Sequence, residues 1–388
     1  DAAGSFAKAD KNHHDYLLGF LNSKVAEYYL RLLNPTLNYQ KGNIESLPIV
    51  ENQYFKKKIK DIVFKNIEIS KHDWDSFEIS WDFTKHPFLK FPSITIKSSF
   101  ICWEQFAENQ FKQLKENEEE LNRIFIEIYG LEDELTPEVA DEDVTIRKAD
   151  LERDIKSFIS YAVGCAFGRY SLDEEGLVYA GGEFDPNRYK TYPADEDNIL
   201  PILPDPYFED DIVSRFIKFV EVVYGKETLE ENLDFIADAL GRRKNETSRE
   251  TIRRYFLNDF YKDHVQTYKK RPIYWLFTSG KEKAFNCLIY MHRYDKTTLS
   301  RIRTDYLHEV QTRYEIRKQD LLNIIDGDST AREIREAKKE LKSLEKKIAE
   351  LIEYDEKLHH MADQQIEIDL DDGVKVNYAK FKGLVAKI

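Results

Sequence analysis

Between Ile334 and Leu358 the apolar residues Ile334, Leu341, Leu344, Ile348, Leu351 and Leu358 keep a heptad pattern. A stripe of that period is helical, and it is buried by packing on a second helix. Thr330 and Glu333 have the spacing of a capping box at its start. The turn-forming run "DGDST" separates it from another helical pattern over residues 297–325. The pair predicts an antiparallel helical hairpin and commits much of the C-terminal region to α structure.

The remaining composition fits a packed protein. A chain of 388 residues is long enough for two or three domains whose cores need no staples. Aromatic residues are abundant (24 Phe, 23 Tyr, 4 Trp), and Gly and Pro are sparse. Cys102, Cys165 and Cys287 stand far apart, which gives neither a disulfide framework nor a metal cluster and suits a reducing cytoplasm. No apolar run approaches the roughly 18 residues that span a bilayer, so no membrane partner is expected. The net charge of −14 is unevenly spread. Between Glu104 and Asp143, fourteen acids face Lys112, Lys115 and Arg123, a local balance of −11. Asp195 to Asp211 holds seven acids and no base, whereas Arg242 to Pro272 carries +6. An acidic total with one basic block is compatible with a single polyanion-binding face among solvated ones.

Pattern divides the chain into five segments. Residues 1–66 read as helix, loop, helix. Leu18, Leu21, Val25, Tyr28 and Leu32 place one amphipathic helix over 14–33, and Asn34-Pro35 ends it. Phe55, Ile59, Ile62 and Val63 line the second helix. Residues 67–143 hold an ordered aromatic crossing segment over 68–100 and an acidic helix over about 103–129. Residues 144–296 form a helical domain with a basic face, opening on a helix through Leu151, Ile155, Phe158, Ala162 and Ala166. Within it, Thr228 and Glu231 suggest a capping box for a helix that stops at Gly241, and Thr247 with Glu250 starts another. Residues 297–362 are the hairpin. Residues 363–388 contain "IEIDLDDGVKVNY", whose apolar alternation around Asp371-Asp372-Gly373 predicts a C-terminal β-hairpin. The expected fold class is mainly α with small β elements, a multi-domain helical fragment.

Several stretches go beyond pattern. "LLGFLNSKVAEYYL" with "NPTLNYQKGNIESLPI" resembles the closing segment of target-recognition regions in Type I specificity subunits and fused restriction-modification enzymes. "EISKHDWDSFEISWDF", "ISYAVGCAFGRYSLDEEGLVYAGG", "IDLDDGVKVNY" and above all "KKRPIYWLFTSGKEKAFNCLIYMHRYDKTTLSRIRTDYL" resemble the C-terminal part of the PglX family. Those are the adenine-specific DNA methyltransferases of BREX phage-defence systems. The resemblance runs from about residue 14 to the end and implies residues 1–66 as the tail of a target-recognition region. It implies S-adenosylmethionine as methyl donor, adenine N6 as target, and a catalytic part upstream. The family's signatures for that part are a glycine-bearing cofactor loop and an Asn-Pro-Pro-aromatic tetrapeptide. Asn34-Pro35-Thr36-Leu37 lacks the second Pro and the aromatic residue, and Asp205-Pro206-Tyr207-Phe208 has one Pro too few and reads as a loop. The expectation is a fragment with no cofactor of its own that helps choose and hold double-stranded DNA. Other BREX proteins, and a phage-encoded DNA mimic on the basic face, are further expected partners.

Three groups of residues are candidate DNA contacts. Arg242, Arg243, Lys244, Arg249, Arg253 and Arg254 lie in a loop and on the first turns of the helix after Thr247, where guanidinium groups and free backbone donors suit phosphate. The bland alternative is a solvated face neutralised by acids elsewhere. Lys269, Lys270 and Arg271 precede the apolar run Ile273–Phe277, and Lys281 and Lys283 follow it. Tyr274 and Trp275 in that run offer rings for an extruded base, although burial in a core is the commoner fate of such residues. Asn38, Gln40 and Lys41 are types that read base edges, or else a plain connection between helices. Adjacent histidines His13-His14 and His359-His360 do not chelate, because neighbours on a helix diverge. Glu174-Glu175 and Asp195-Glu196-Asp197 read as solvated acids rather than a nuclease metal site. A competing function is a protein-interaction module built on the hairpin and the acidic segments. A third reading, catalysis by this fragment alone, lacks a recognisable cofactor pocket.

Overall fold

The computed structural model describes Asp10, residues 13–36 and residues 38–388. The chain divides into two units, Asp1–Ser80 with Ile101–Asp150, and Trp81–Phe100 with Leu151–Ile388.

In the first unit, helices His14–Leu21, Lys24–Leu33 and Lys56–Trp74 share a core with helix Ile96–Tyr129 beyond Phe100. Phe20, Val25, Ile59, Val63, Leu121 and Phe125 belong to this cluster. Gly19 permits the close packing, because a Cβ there would stand 3.0 Å from Val63 Cγ2 and 3.2 Å from Ile59 Cγ2. The single helix expected over 14–33 is two. Ser23 adopts extended backbone, its hydroxyl donates to Phe20 O at 2.7 Å and accepts from Ala26 N, and the second helix starts there. The second apolar pattern is also longer than its reading, since that helix runs on to Trp74.

In the second unit, helix Leu151–Ala166 is buried along most of its length. Its Phe158 ring lies 5.6 Å from Phe219 and 6.3 Å from Phe216, both on helix Ile212–Tyr224. Helices Leu229–Ala239 and Ser248–Asn258 complete the surround. The acidic helix starts at Ile96, inside the stretch read as irregular, because Ser98 N donates to the Thr95 hydroxyl at 3.2 Å. Three strands, β1 (Leu200–Pro201), β2 (Tyr274–Thr278) and β3 (Asn286–Tyr290), form an antiparallel sheet in the order β1-β3-β2. Tyr274 faces Tyr290 and Thr278 faces Asn286, and β3 is buried throughout. The protein is mainly α with a small β element, as its sequence patterns imply.

The helical hairpin forms as expected. Thr298–Arg301 leads into a π-helical stretch, Ile302–Leu307, and then helix His308–Asp326, which packs on helix Ala331–Asp363. Arg303 meets Asp355 and Arg317 meets Glu340, so the arms run antiparallel. Leu344, Leu351 and Leu358 are buried together with Ala337. The capping boxes at Thr247 and Thr330 are present. The one at Thr228 is not, because its hydroxyl donates back to Tyr224 O at 3.0 Å.

The expected C-terminal β-hairpin is replaced by a 3-10 turn, Leu370–Asp372, and a short helix, Val374–Ala379. Asp369 accepts from Asp371 N at 2.9 Å, and the buried Asn377 amide donates to Asp369 O and Gly373 O, which folds the stretch upon itself. Val376 is 55% exposed, so the alternation meets no sheet face. Val385 instead bridges Phe277, and Ala386 N donates to Leu276 O at 2.8 Å along the free edge of β2.

Candidate nucleic-acid interface

The basic block after Gly241 is largely neutralised from within. Arg242 forms 2.8 Å ion pairs with Asp234 and Asp238 of the preceding helix. Arg249 reaches Glu230, and Arg254 forks onto Glu246 at 2.9 and 3.0 Å, holding that carboxyl down to about 2. Arg253, expected on the outer face beside Arg249, turns inward. Its guanidinium donates to both oxygens of Asp211 at 2.7 and 2.9 Å and to Leu203 O at 2.8 Å. Asp211 is 1% exposed, and it caps helix Ile212–Tyr224 by accepting from Ser214 N at 3.0 Å. Arg253 is therefore a buried clamp between two helices and is out of reach of a phosphate. Arg243 and Lys244 stay exposed, with no ion pair among the described residues.

The second block splits across β2. Lys269 (φ +49°) and Lys270 (φ +61°) make a left-handed turn, and with Arg271 they are exposed before the strand. His264 fixes this turn from beneath. Its Nε2 accepts from Ile273 N at 3.1 Å and Tyr274 N at 3.0 Å, and burial holds the ring well below the ordinary histidine range. The Tyr274 ring stacks on His264 at 4.6 Å and on Phe167 at 5.4 Å. Trp275 donates to Pro272 O at 3.0 Å, and both Tyr274 and Trp275 are 0% exposed, so they are core and offer no face to a base. At the far end of β2, Lys281 is exposed. Lys283 bends back to Leu257 O and Asn258 Oδ1, each at 2.7 Å, and burial pulls its ammonium down. Lys269, Lys270 and Arg271 thus form one patch, while Lys281 and Lys283 sit at the opposite end of a five-residue strand.

In the first unit, the loop before Lys41 is ordered by asparagines. Asn34 accepts from Thr36 N at 3.1 Å and donates to Asn38 O at 3.0 Å, while Asn43 accepts from Gln40 N at 2.9 Å. These contacts leave Asn38, Tyr39 and Gln40 exposed on a fixed backbone, next to the exposed pair Lys41–Glu45.

The reading of Asp195-Glu196-Asp197 as solvated acids is corrected at Asp195, which is 7% exposed, and two features gather residues that lie apart in the chain. Asp195 and Asp197 join Asp210, with one oxygen from each within 4.8 Å of the others. The Tyr306 hydroxyl, from the π-helical stretch, lies 2.8 Å from Asp197 and 2.5 Å from Asp210. Its single hydrogen can be donated to only one of them at a time. Burial, then the neighbouring Asp197, pushes Asp195 up. A cleft of about 430 Å³ also opens beside the hairpin, lined by Asp205, Tyr207, Arg313, Ile316, Glu340 and Lys347 among others. The Arg313 guanidinium stands over the Tyr207 ring at 5.2 Å. The run 195–197 showed part of the first feature, but Asp210 and Tyr306 join it only in the fold, as the cleft's members meet only in the fold.

No protein-family model matches the chain. It is 46% identical over 373 residues to the adenine-specific methyltransferase PglX of Lacticaseibacillus casei (strain Zhang), covering 94% of this chain and 31% of that protein. It is 42% identical over an alignment of 404 residues to the adenine-specific methyltransferase BrxX of Escherichia coli O9:H4 (strain HS), covering 96% of this chain and 33% of that protein. The matched region is the C-terminal part of each, so the chain spans about a third of the length of these relatives.

Proposed function

The chain belongs with the C-terminal part of the PglX and BrxX adenine-specific methyltransferases, and from that premise we propose that it is the portion that grips and helps select double-stranded DNA for methylation. In this reading the complete enzyme transfers a methyl group from S-adenosylmethionine to adenine N6, within the cytoplasm and as part of BREX-type phage defence. The upstream part holds the methyl donor. In support of that reading, the cleft beside Tyr207 is lined by charged and aromatic side chains, with Arg317 paired to Glu340, and by no glycine.

The observation that carries the reading is that nearly all of this chain aligns with the C-terminal third of two enzymes named adenine-specific methyltransferases. The exposed patch Lys269–Lys270–Arg271, with no ion pair among the described residues, would supply a phosphate contact consistent with it. Fluorescence anisotropy with a labelled duplex tests the proposal. Affinity should fall by orders of magnitude between about 50 and 200 mM salt if six or more phosphates are contacted. Replacing Lys269, Lys270 and Arg271 together by Ala should weaken binding and flatten the salt dependence. A chain with no measurable duplex affinity at low salt refutes the reading.

The cleft favours a second reading, docking of a protein partner on the hairpin. Ile316 on its wall is 59% exposed, beside Tyr207 and the cations Arg313 and Lys347. Another defence protein would use this site. If so, Ile316→Asp should abolish co-purification and leave duplex binding intact. Retained co-purification counts against docking there.

A further inference from the structure

Helix Ala331–Asp363 carries a second cationic surface, which the residue-by-residue charge count hides. Arg335, Lys339, Lys342 and Lys346 are spaced four, three and four residues apart. That spacing puts them on one side of a helix. The buried residues Ala337, Leu344, Leu351 and Leu358 fall on the opposite side. All four cations are exposed and carry no ion pair among the described residues. At 1.5 Å rise per residue the row is about 16 Å long.

Other cations of this hairpin are paired, although Lys338 is also exposed with no ion pair among the described residues. Arg332 pairs with Glu336, Arg313 with Glu309, Arg317 with Glu340 and Lys357 with Glu353. Glu345, three residues beyond Lys342, makes no ion pair with it. Like charges at i, i+3 and i, i+4 repel, costing about 0.2–0.5 kcal/mol a pair. A face kept only for solubility has no need to bear that cost, and in a chain of net charge −14 an unbroken cationic row stands out. Four charges in a line match a partner that is itself a line of negative charge.

We infer that this row is a sequence-independent contact for the phosphate backbone of duplex DNA, separate from the Lys269–Arg271 patch. The inference rests on the DNA-holding reading and extends it to the hairpin. Lysine on an exposed helix places point charges without reading bases, so the row adds grip and not specificity.

The test is duplex binding across a salt series, using the whole chain. The variant Arg335→Gln/Lys339→Gln/Lys342→Gln/Lys346→Gln should lower the slope of log K against log salt by about 2–4, near 0.9 per lost contact. Affinity at low salt should fall at least tenfold for all duplex sequences alike. Lys339→Arg/Lys342→Arg/Lys346→Arg should keep both slope and affinity. If the quadruple variant fails to fold, Lys342→Gln alone decides, with an expected slope change of about 0.9. An unchanged slope overturns the inference while leaving the broader reading standing. A wild-type chain that binds no duplex overturns both. Unchanged duplex binding with lost binding to polyglutamate also overturns it, in favour of an acidic protein partner.

Discussion

At the scale of single residues, the arginines separate by what they touch. Arg253 and Asp211 form a buried pair, 15% and 1% exposed, and Asp211 also caps a helix. Arg253→Ala leaves that carboxylate without its fork, and stability should fall by about 3–5 kcal/mol in urea unfolding. Arg243→Ala should change stability by no more than about 0.5 kcal/mol. Sequence alone does not make this distinction. Arg253 and Arg243 have the same charge count around them, and the deciding partner Asp211 lies far off in the chain. His264 yields a pH prediction with a definite sign. Its folded form stays neutral, held well below the ordinary range by burial. The unfolded chain takes up a proton below about pH 6.5. Stability present at neutral pH is therefore lost as pH falls through 6.5. His264→Gln keeps an acceptor for Ile273 N and Tyr274 N but cannot titrate. The drop in melting temperature between pH 7.5 and 5 should be smaller in that variant. His86 and His292, pulled down to about 3 and about 4 by burial, leave a residual slope.

At the scale of elements, the hairpin depends on its heptad. Leu351 is 1% exposed at the centre of the stripe, so Leu351→Ala should cost about 2–5 kcal/mol. Ile348 is only half-buried, and Ile348→Ala should cost less. Equal losses in chemical denaturation would contradict the observed packing. This element was legible because its signals are local: a repeat, a turn, and a cap made by residues three apart. The failures were also local signals, outcompeted by tertiary ones. Thr228 had the spacing of a cap, but its hydroxyl found Tyr224 O. The residues from Ile366 to Tyr378 had the alternation of strands, but Asn377 tied the backbone into a turn and helix. The free edge of β2 was taken by Val385.

At the scale of the whole molecule, net charge proved a poor guide to which cations stay exposed. Within the +6 block, Arg242, Arg249, Arg253, Arg254 and Lys262 enter ion pairs once the chain folds, while Arg243, Lys244, Lys269, Lys270 and Arg271 stay exposed with no ion pair among the described residues. The class of protein was legible, because motifs along nearly the whole chain carry the resemblance and the relatives match over the same length. Which cations stay exposed and unpaired among the described residues was not, because exposure and pairing are properties of the fold. The same reasoning bears on the methyl donor. A nucleoside cofactor is held in an enclosed site with a few convergent polar groups. The large cleft here is instead walled by Arg317–Glu340 and by Arg313, which already pairs with Glu309. Calorimetric titration of this chain with S-adenosylmethionine should therefore give no binding heat. A Kd near 1 µM, about −8 kcal/mol, would require a pocket of that kind in this chain. Because Tyr207 lines the cleft, Tyr207→Ala distinguishes the cases. It should leave the null titration unchanged, and it should abolish any binding that arises from the cleft.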